Sequence, residues 1–170
     1  MASSQKSSKT LKLIVFDLDF TLWPYWADCH IQSPYRIASN EKIIDSAGNI
    51  VECYPDVPEV LADLHKKGYI LGVASRCPDR EGCRQLLNLF GFNKYLKYIE
   101  IHDCHKFQHF EKIKKSSGVD FSEMMFFDDD KNNIRDISSM GVVSILVREG
   151  ITKQVVDDGI RQFHKRCSVQ

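Results

Sequence analysis

Neither long apolar runs nor an excess of charge marks this 170-residue chain. No stretch of apolar residues is long enough to span a bilayer, so no membrane partner is expected. Acidic and basic residues number 23 each, which argues against a nucleic-acid-binding arm or an electrostatic membrane anchor. Cys29, Cys53, Cys77, Cys83, Cys104 and Cys167 are scattered without a Cys-x-x-Cys pair, a distribution that suits reduced thiols in a reducing compartment. Residues 1–10 are rich in Ser and Lys and lack the apolar core of a signal peptide. A short disordered lead-in and a cytosolic or nuclear location are therefore expected. The remaining length, residues 11–170, suits one domain with a substantial core rather than two large ones. No exposed heptad pattern asks for a partner, and a monomer is expected.

What the chain does contain is an alternation of apolar runs and helical stretches. Residues 11–16 are Leu, Ile, Val and Phe with little polar alternation, as a parallel strand buried on both faces requires. Asp56 and Glu59 have the spacing of a capping box, Pro58 lies in the first turn, and Val57, Val60, Leu61 and Leu64 form a stripe ended by Gly68. These signals predict a helix. Further strands are predicted over 69–74, 95–101, 124–127 and 142–147, and helices over 80–90, 106–115, 132–140 and 152–167. Strands alternating with helices predict a three-layer, Rossmann-like α/β domain with a mostly parallel sheet. Residues 24–55 break the rhythm. Within them, 42–45 and 49–53 flank Ser46-Ala47-Gly48, a hairpin signal. About 30 residues cannot build a core of their own, so this insertion is expected to be a flap over the sheet's carboxyl edge.

The chemistry gathers at the strands' carboxyl ends, where open α/β sheets bind ligands. The first strand delivers Asp17 and Asp19, the second Ser75 and Arg76, and the fourth Asp128, Asp129 and Asp130, while the helix after the third strand begins near Lys106. Side chains alternate along a strand, so the two acids share a face only while the backbone stays extended, and a bend past Asp17 would aim them differently. A simple helix cap is the poorer reading of this pair. Phe20, Leu22, Trp23 and Trp26 form no helical stripe, and Pro24 interrupts the segment. Acidic oxygens suit a hard cation, Mg²⁺ before others. A hydroxyl, a lysine and backbone N–H groups suit a phosphate. Both sets are needed, because a carboxylate about 4 Å from a phosphate charge is repelled by roughly 4 kcal/mol at an effective dielectric near 20. His102, Cys104, His105 and His109 invite a zinc reading, but their spacing is incomplete and surface histidines are the simpler explanation. Of Trp23, Tyr25, Trp26 and Tyr35, most are expected to pack the flap, with Trp23 the best candidate to line the site. Residues 130–133 read as a capped helix start, and Cys77 and Cys83 as inert thiols near the site.

Asp-x-Asp-x-Thr after a first strand, Ser after a second, Lys opening a helix and an acidic pair after a fourth resemble the haloacid dehalogenase superfamily of phosphatases. Phe16-Asp17-Leu18-Asp19-Phe20-Thr21-Leu22-Trp23-Pro24, Ala74-Ser75-Arg76, His109-Phe110-Glu111 and Phe126-Phe127-Asp128-Asp129 are similar to its magnesium-dependent phosphatase-1 type, and the likeness runs from Leu11 to about Val147. The resemblance implies Asp17 as nucleophile forming an aspartyl phosphate, and Asp19 as general acid and then base, its backbone carbonyl touching the metal. It implies Mg²⁺ held by Asp17 with Asp128 and Asp129, one of that pair binding directly and the other orienting. Ser75 would bind phosphoryl oxygens, Arg76 would face the substrate, and Lys106 would neutralise charge. The substrate would be a phosphorylated small molecule or a phosphoprotein, with phosphotyrosine and a sugar or fructosamine phosphate both open. The stretch His102-Asp103-Cys104-His105 departs from the small Gly-Ser type loop the family pattern leads one to expect before Lys106. Two alternatives carry the same parts: a phosphotransferase or mutase, which would need a larger cap, and a receiver-type signalling domain, which orders its acidic motifs differently.

Overall fold

The computed structural model describes residues 9–168. Most of the expected lead-in, residues 1–8, lies outside the described residues. In chain order the elements are β1 (Leu13–Phe16), β2 (Arg36–Ile37), β3 (Ile43–Ile44), α1 (Val57–Lys66), β4 (Ile70–Ser75), α2 (Arg80–Leu89), β5 (Leu96–Ile101), α3 (Lys106–Ser117), β6 (Met124–Asp128), α4 (Lys131–Ser139), β7 (Val143–Leu146) and α5 (Lys153–Ser168). Each predicted strand and helix of the α/β alternation is present within a few residues of its expected bounds.

The main sheet runs β5-β4-β1-β6-β7, every pairing parallel. Its most apolar strand, β1, is the central one and is buried at all four positions. Counting only the sheet's own strands, the order is third, second, first, fourth, fifth. The chain therefore reverses direction between β1 and β6, and the crevice beyond their carboxyl ends is the ligand position of such a sheet. A receiver domain has its second strand at the edge and its first between second and third, so the strand order excludes that alternative.

Helices cover both faces. Val57, Val60, Leu61 and Leu64 of α1, Cys83, Leu86 and Leu87 of α2, and Val156 and Phe163 of α5 pack with Ile14, Phe16, Leu71, Val73, Met125 and Phe127. On the opposite face Phe110 and Ile113 of α3 and Ile137 of α4 pack with Leu13, Val15, Ala74, Met124 and Phe126. Full burial of one such side chain contributes about 1.5–3 kcal/mol. Among the described residues, no helix is long and apolar enough to cross a membrane.

The insertion has no core of its own: Ala27, Ile31, Tyr35 and Val51 join the cluster of α1, α2 and α5. Its pairing differs in part from the expected hairpin. The tight turn over 45–49 is present, with Asp45 N–H donating to Asn49 O and Val51 N–H to Ile43 O, each at 2.9 Å, and Ile44 bridges Ile50, but the pairing extends no further. β3 takes β2 as its antiparallel partner on the other side. Asp45 anchors the turn: its buried carboxylate accepts from the backbone N–H groups of Gln32, Ala47 and Asn49 and from Asn49 Nδ2. Those bonds, led by the Asn49 N–H, hold its carboxyl below the usual range against the opposing pull of burial. Asp45 thus staples turn to flap, where a ladder would otherwise be required.

A second difference concerns Asp56. It makes no side-chain cap on α1. Its Oδ2 instead accepts from Lys153 N–H at 3.0 Å, in the first turn of α5, where Thr152 Oγ1 also accepts from Val155 N–H at 3.1 Å. One acid therefore joins the ends of two helices that are distant in sequence.

α5 approaches the sheet through Gly159. A Cβ there would lie 3.0 Å from Phe127 Cζ and 3.2 Å from Ile145 Cγ1. Phe127 is fully buried and stacked on Phe16 with centroids 5.4 Å apart, so it has nowhere to retreat. Gly159→Leu is expected to destabilise the fold by about 1–3 kcal/mol despite leucine's better helix propensity. Urea unfolding measures this, and an unchanged or higher midpoint would contradict the close packing of α5.

Candidate active site

β1 and β6 lie side by side, with Asp17 N–H donating to Phe127 O at 2.9 Å. That register brings Asp17 level with Asp128. Asp17, Asp128 and Asp129 each offer an oxygen within 4.8 Å of the others. Lys106, the first residue of α3, enters from the other side. Its Nζ donates to Asp17 Oδ1 and to Ala74 O, each at 2.5 Å, and lies 3.2 Å from Asp128 Oδ2. The ammonium is 2% exposed and Asp128 not at all.

Burial pushes the Asp17 carboxyl well above its usual range, and Lys106 is the main opposing influence. Burial alone would lower Lys106, but the Asp17 and Asp128 carboxylates beside it carry its affinity for the proton above the ordinary value. Burial and then the neighbouring charge of Asp128 raise Asp129 to about 6. When all three carboxyls are ionised, one ammonium leaves two negative charges unbalanced. An all-oxygen, hard donor set with that excess fits a divalent cation such as Mg²⁺.

Asp19 is aimed elsewhere, as the expected bend requires. After β1 the chain turns tightly, with Thr21 and Leu22 N–H groups donating to Leu18 O and Phe20 in the left-handed region at φ 56°. Asp19 Oδ1 accepts from Trp23 Nε1 at 2.7 Å and from Ala27 N–H at 3.3 Å. Its carboxylate neighbours Asp28 and Cys77 rather than the Asp17 group. Burial raises its carboxyl above the usual range, against the lowering influence of the Trp23 bond.

The acids share a cavity of about 670 Å³ with Ser75, Arg76, Lys106, Asp103 and Asn133. Ser75 is buried, and its Oγ accepts from Cys77 N–H at 3.3 Å, which leaves the hydroxyl proton available to a ligand. Arg76 is exposed on the cavity wall.

Trp23, expected to line the site, does not. It is fully buried, stacked on Phe90 at 6.2 Å. The cavity's tryptophan is Trp26, 53% exposed and braced by His30 in a stack at 5.2 Å and by the edge of Phe20 at 5.4 Å. The left-handed Phe20 turns Trp23 inward, and no sequence pattern marks that. Asn133 is the residue that sequence reasoning passed over. Its Nδ2 donates to Asp128 Oδ2 at 3.0 Å, while Asp130 N–H donates to Oδ1 at 2.8 Å. Asp130 also caps α4 through Asn132 N–H, as predicted. The available signal for Asn133 was its place in the first turn of a helix that follows the acids.

The loop over 102–105 does not displace Lys106. His109 is buried beneath it, Nε2 lying 3.1 Å from His102 O and Nδ1 3.2 Å from His105 O. Both ring nitrogens face backbone carbonyls, and the one N–H of a neutral imidazole donates to one of them, which fastens the loop and does not suit a zinc site. Burial, with the nearby Lys106 charge, lowers the affinity of His109 for a second proton.

Comparison places this geometry in a class. The fold is that of the haloacid dehalogenase-like hydrolases: one from Xanthomonas campestris superposes with a TM-score of 0.67 at 11% identity, covering 95% of this chain and all of that one. A predicted phosphoglycolate phosphatase from Haemophilus somnus gives 0.64 at 20%, covering 82% and 86%. Residues 9–166 match the model of the family described as acid phosphatase. The chain is 42% identical over 154 residues to human magnesium-dependent phosphatase 1, covering 91% of this chain and 88% of that protein. It is also 34% identical to a HAD-like hydrolase superfamily protein of Schizosaccharomyces pombe, covering 77% and 82%. The chain belongs to the acid phosphatase family of the haloacid dehalogenase superfamily, in its magnesium-dependent phosphatase 1 branch.

Removal of the ammonium isolates two buried carboxylates. Lys106→Met is expected to lower stability by about 3–5 kcal/mol, read from denaturant unfolding in chelator. An unchanged midpoint would show that the ion pairs do not organise the site.

Proposed function

We propose that the chain is a Mg²⁺-dependent phosphomonoesterase acting through an aspartyl phosphate on Asp17. The observation that carries this reading is the buried Asp17, gripped by Lys106 and level with Asp128 and Asp129 at the sheet's switch point. Asp17, Asp128 and Asp129, with the Asp19 backbone carbonyl, would hold the cation. Bound there, Mg²⁺ supplies positive charge against the phosphoryl oxygens and the approaching carboxylate.

A carboxylate oxygen of Asp17 bonds to phosphorus in line with the leaving group. The ester P–O bond breaks, its electron pair goes to the leaving oxygen, and that oxygen takes the proton of Asp19. Water then attacks phosphorus and gives its proton back to Asp19, and the bond from phosphorus to Asp17 breaks to restore the carboxylate. Ser75 donates to a phosphoryl oxygen, and Lys106 balances charge on Asp17 throughout. The flap contributes only Trp26 and Asp28 to the cavity, which supports access of water and favours hydrolysis over phosphoryl transfer to a second substrate.

Trp26 presents an exposed ring at the cavity, which supports an aryl phosphate such as protein phosphotyrosine. Asp28 and Asp103, which also line the cavity, favour a second class, a sugar phosphate bearing a cationic amine, as in fructosamine phosphates. Six free thiols support a cytosolic or nuclear setting.

Phosphate release across phosphotyrosine peptides, sugar phosphates and fructosamine phosphates tests this reading. Turnover should vanish in chelator and return with Mg²⁺. Asp17→Asn should lower it by roughly 10³-fold or more while still unfolding in a cooperative melting transition. Wild-type activity in Asp17→Asn would sink the mechanism.

A further inference from the structure

Asp19 lies in a turn that is fastened from outside. Tyr54 N–H donates to Leu22 O and Ile151 N–H to Thr21 O, each at 2.9 Å, and Phe20 N–H donates to Trp23 O at 2.7 Å. Inside this turn the Trp23 indole is fully buried and stacked on Phe90, so its N–H has a fixed direction. It meets Asp19 Oδ1 at 2.7 Å, and Ala27 N–H meets the same oxygen at 3.3 Å. An indole N–H and a backbone N–H are donors only. An oxygen that accepts from both is poorly placed to carry a proton of its own.

We propose that Trp23 is the positioning residue of proton transfer: with Ala27 N–H it pins Asp19 Oδ1, so that Oδ2 carries the proton exchanged with the leaving oxygen and the hydrolytic water. The proposal rests on the phosphatase reading and adds to it a defined proton-bearing atom and the buried side chain that selects it. A packing role for an indole would need only its ring. The positioning role needs its N–H, because a carboxyl free to rotate offers the leaving oxygen its proton only part of the time.

Leaving-group dependence separates the two roles. A nitrophenolate departs with little help from an acid, whereas an alkoxide requires a proton as the P–O bond breaks. The value of kcat/KM covers steps up to departure of the leaving group, so later hydrolysis of the acyl phosphate does not mask the effect. The Mg²⁺-loaded wild type and Trp23→Phe are compared on nitrophenyl phosphate and on a primary alkyl phosphate. Trp23→Phe keeps a ring against Phe90 and removes the donor. The expected result is a loss on the alkyl ester at least about tenfold larger than on the nitrophenyl ester. Equal losses on both, or none, would overturn the proposal. If Trp23→Phe fails to show a melting transition, the same comparison is made with the benzothienyl analogue of tryptophan installed at position 23, which keeps the ring shape and replaces N–H by sulfur. Wild type inactive on both esters would instead overturn the phosphatase reading itself.

Discussion

A single buried ammonium organises this molecule's functional end. Lys106 brings its charge to the point where β1 and β6 deliver their acids, and it is the cation that lets Asp17 and Asp128 remain beside each other away from water. Like charges about 4 Å apart repel by roughly 4 kcal/mol at an effective dielectric near 20, so the pair requires a counter-ion built into the fold. Lys106 depends in turn on the start of α3, and that start depends on the loop stapled by His109. His109, buried beneath that loop, fastens it from below. One ammonium does not balance three ionised carboxylates, and the remaining deficit suits a hard divalent cation.

The two acids of the opening motif are separated by backbone geometry rather than by residue type. Asp17 still belongs to the strand's register, through its N–H to Phe127 O. Two residues later the chain has left the sheet, and the left-handed Phe20 winds it so that the Trp23 indole reaches back to Asp19. Asp17 therefore lies with the ammonium and the other acids, and Asp19 with the flap. In the proposed reaction this is the difference between a nucleophile and a proton carrier, produced by one turn.

Most of the α/β framework was legible because it is punctuated. Leu13 to Phe16 has the unbroken apolar run of a strand buried on both faces, and glycines 68, 91, 118 and 141 end their elements at positive φ, where a side chain would be strained. The carboxyl-end residues Asp17, Ser75, Lys106 and Asp128 followed from knowing where strands stop. Details that depend on long-range partners were not legible. Asp56 has the spacing of a cap for its own helix, yet it serves α5, nearly a hundred residues on. The pairing of β3 with β2 joins segments whose two-residue strands carry no alternating pattern of their own. Trp23 and Trp26 exchange their expected places because one residue, Phe20, adopts a conformation that phenylalanine rarely takes. Asn133 was passed over because its partner, Asp128, is reached across the first turn of a helix.

The proposed chemistry turns on a covalent bond between phosphorus and one particular carboxylate. Borohydride reduction of enzyme quenched during turnover converts an acyl phosphate to an alcohol, and fragmentation of the peptide spanning β1 and its turn locates the change. Reduction at Asp17, dependent on substrate and Mg²⁺, is the expected result. Reduction at Asp19, or none in enzyme quenched while fully active, would contradict the assignment of Asp17 as nucleophile.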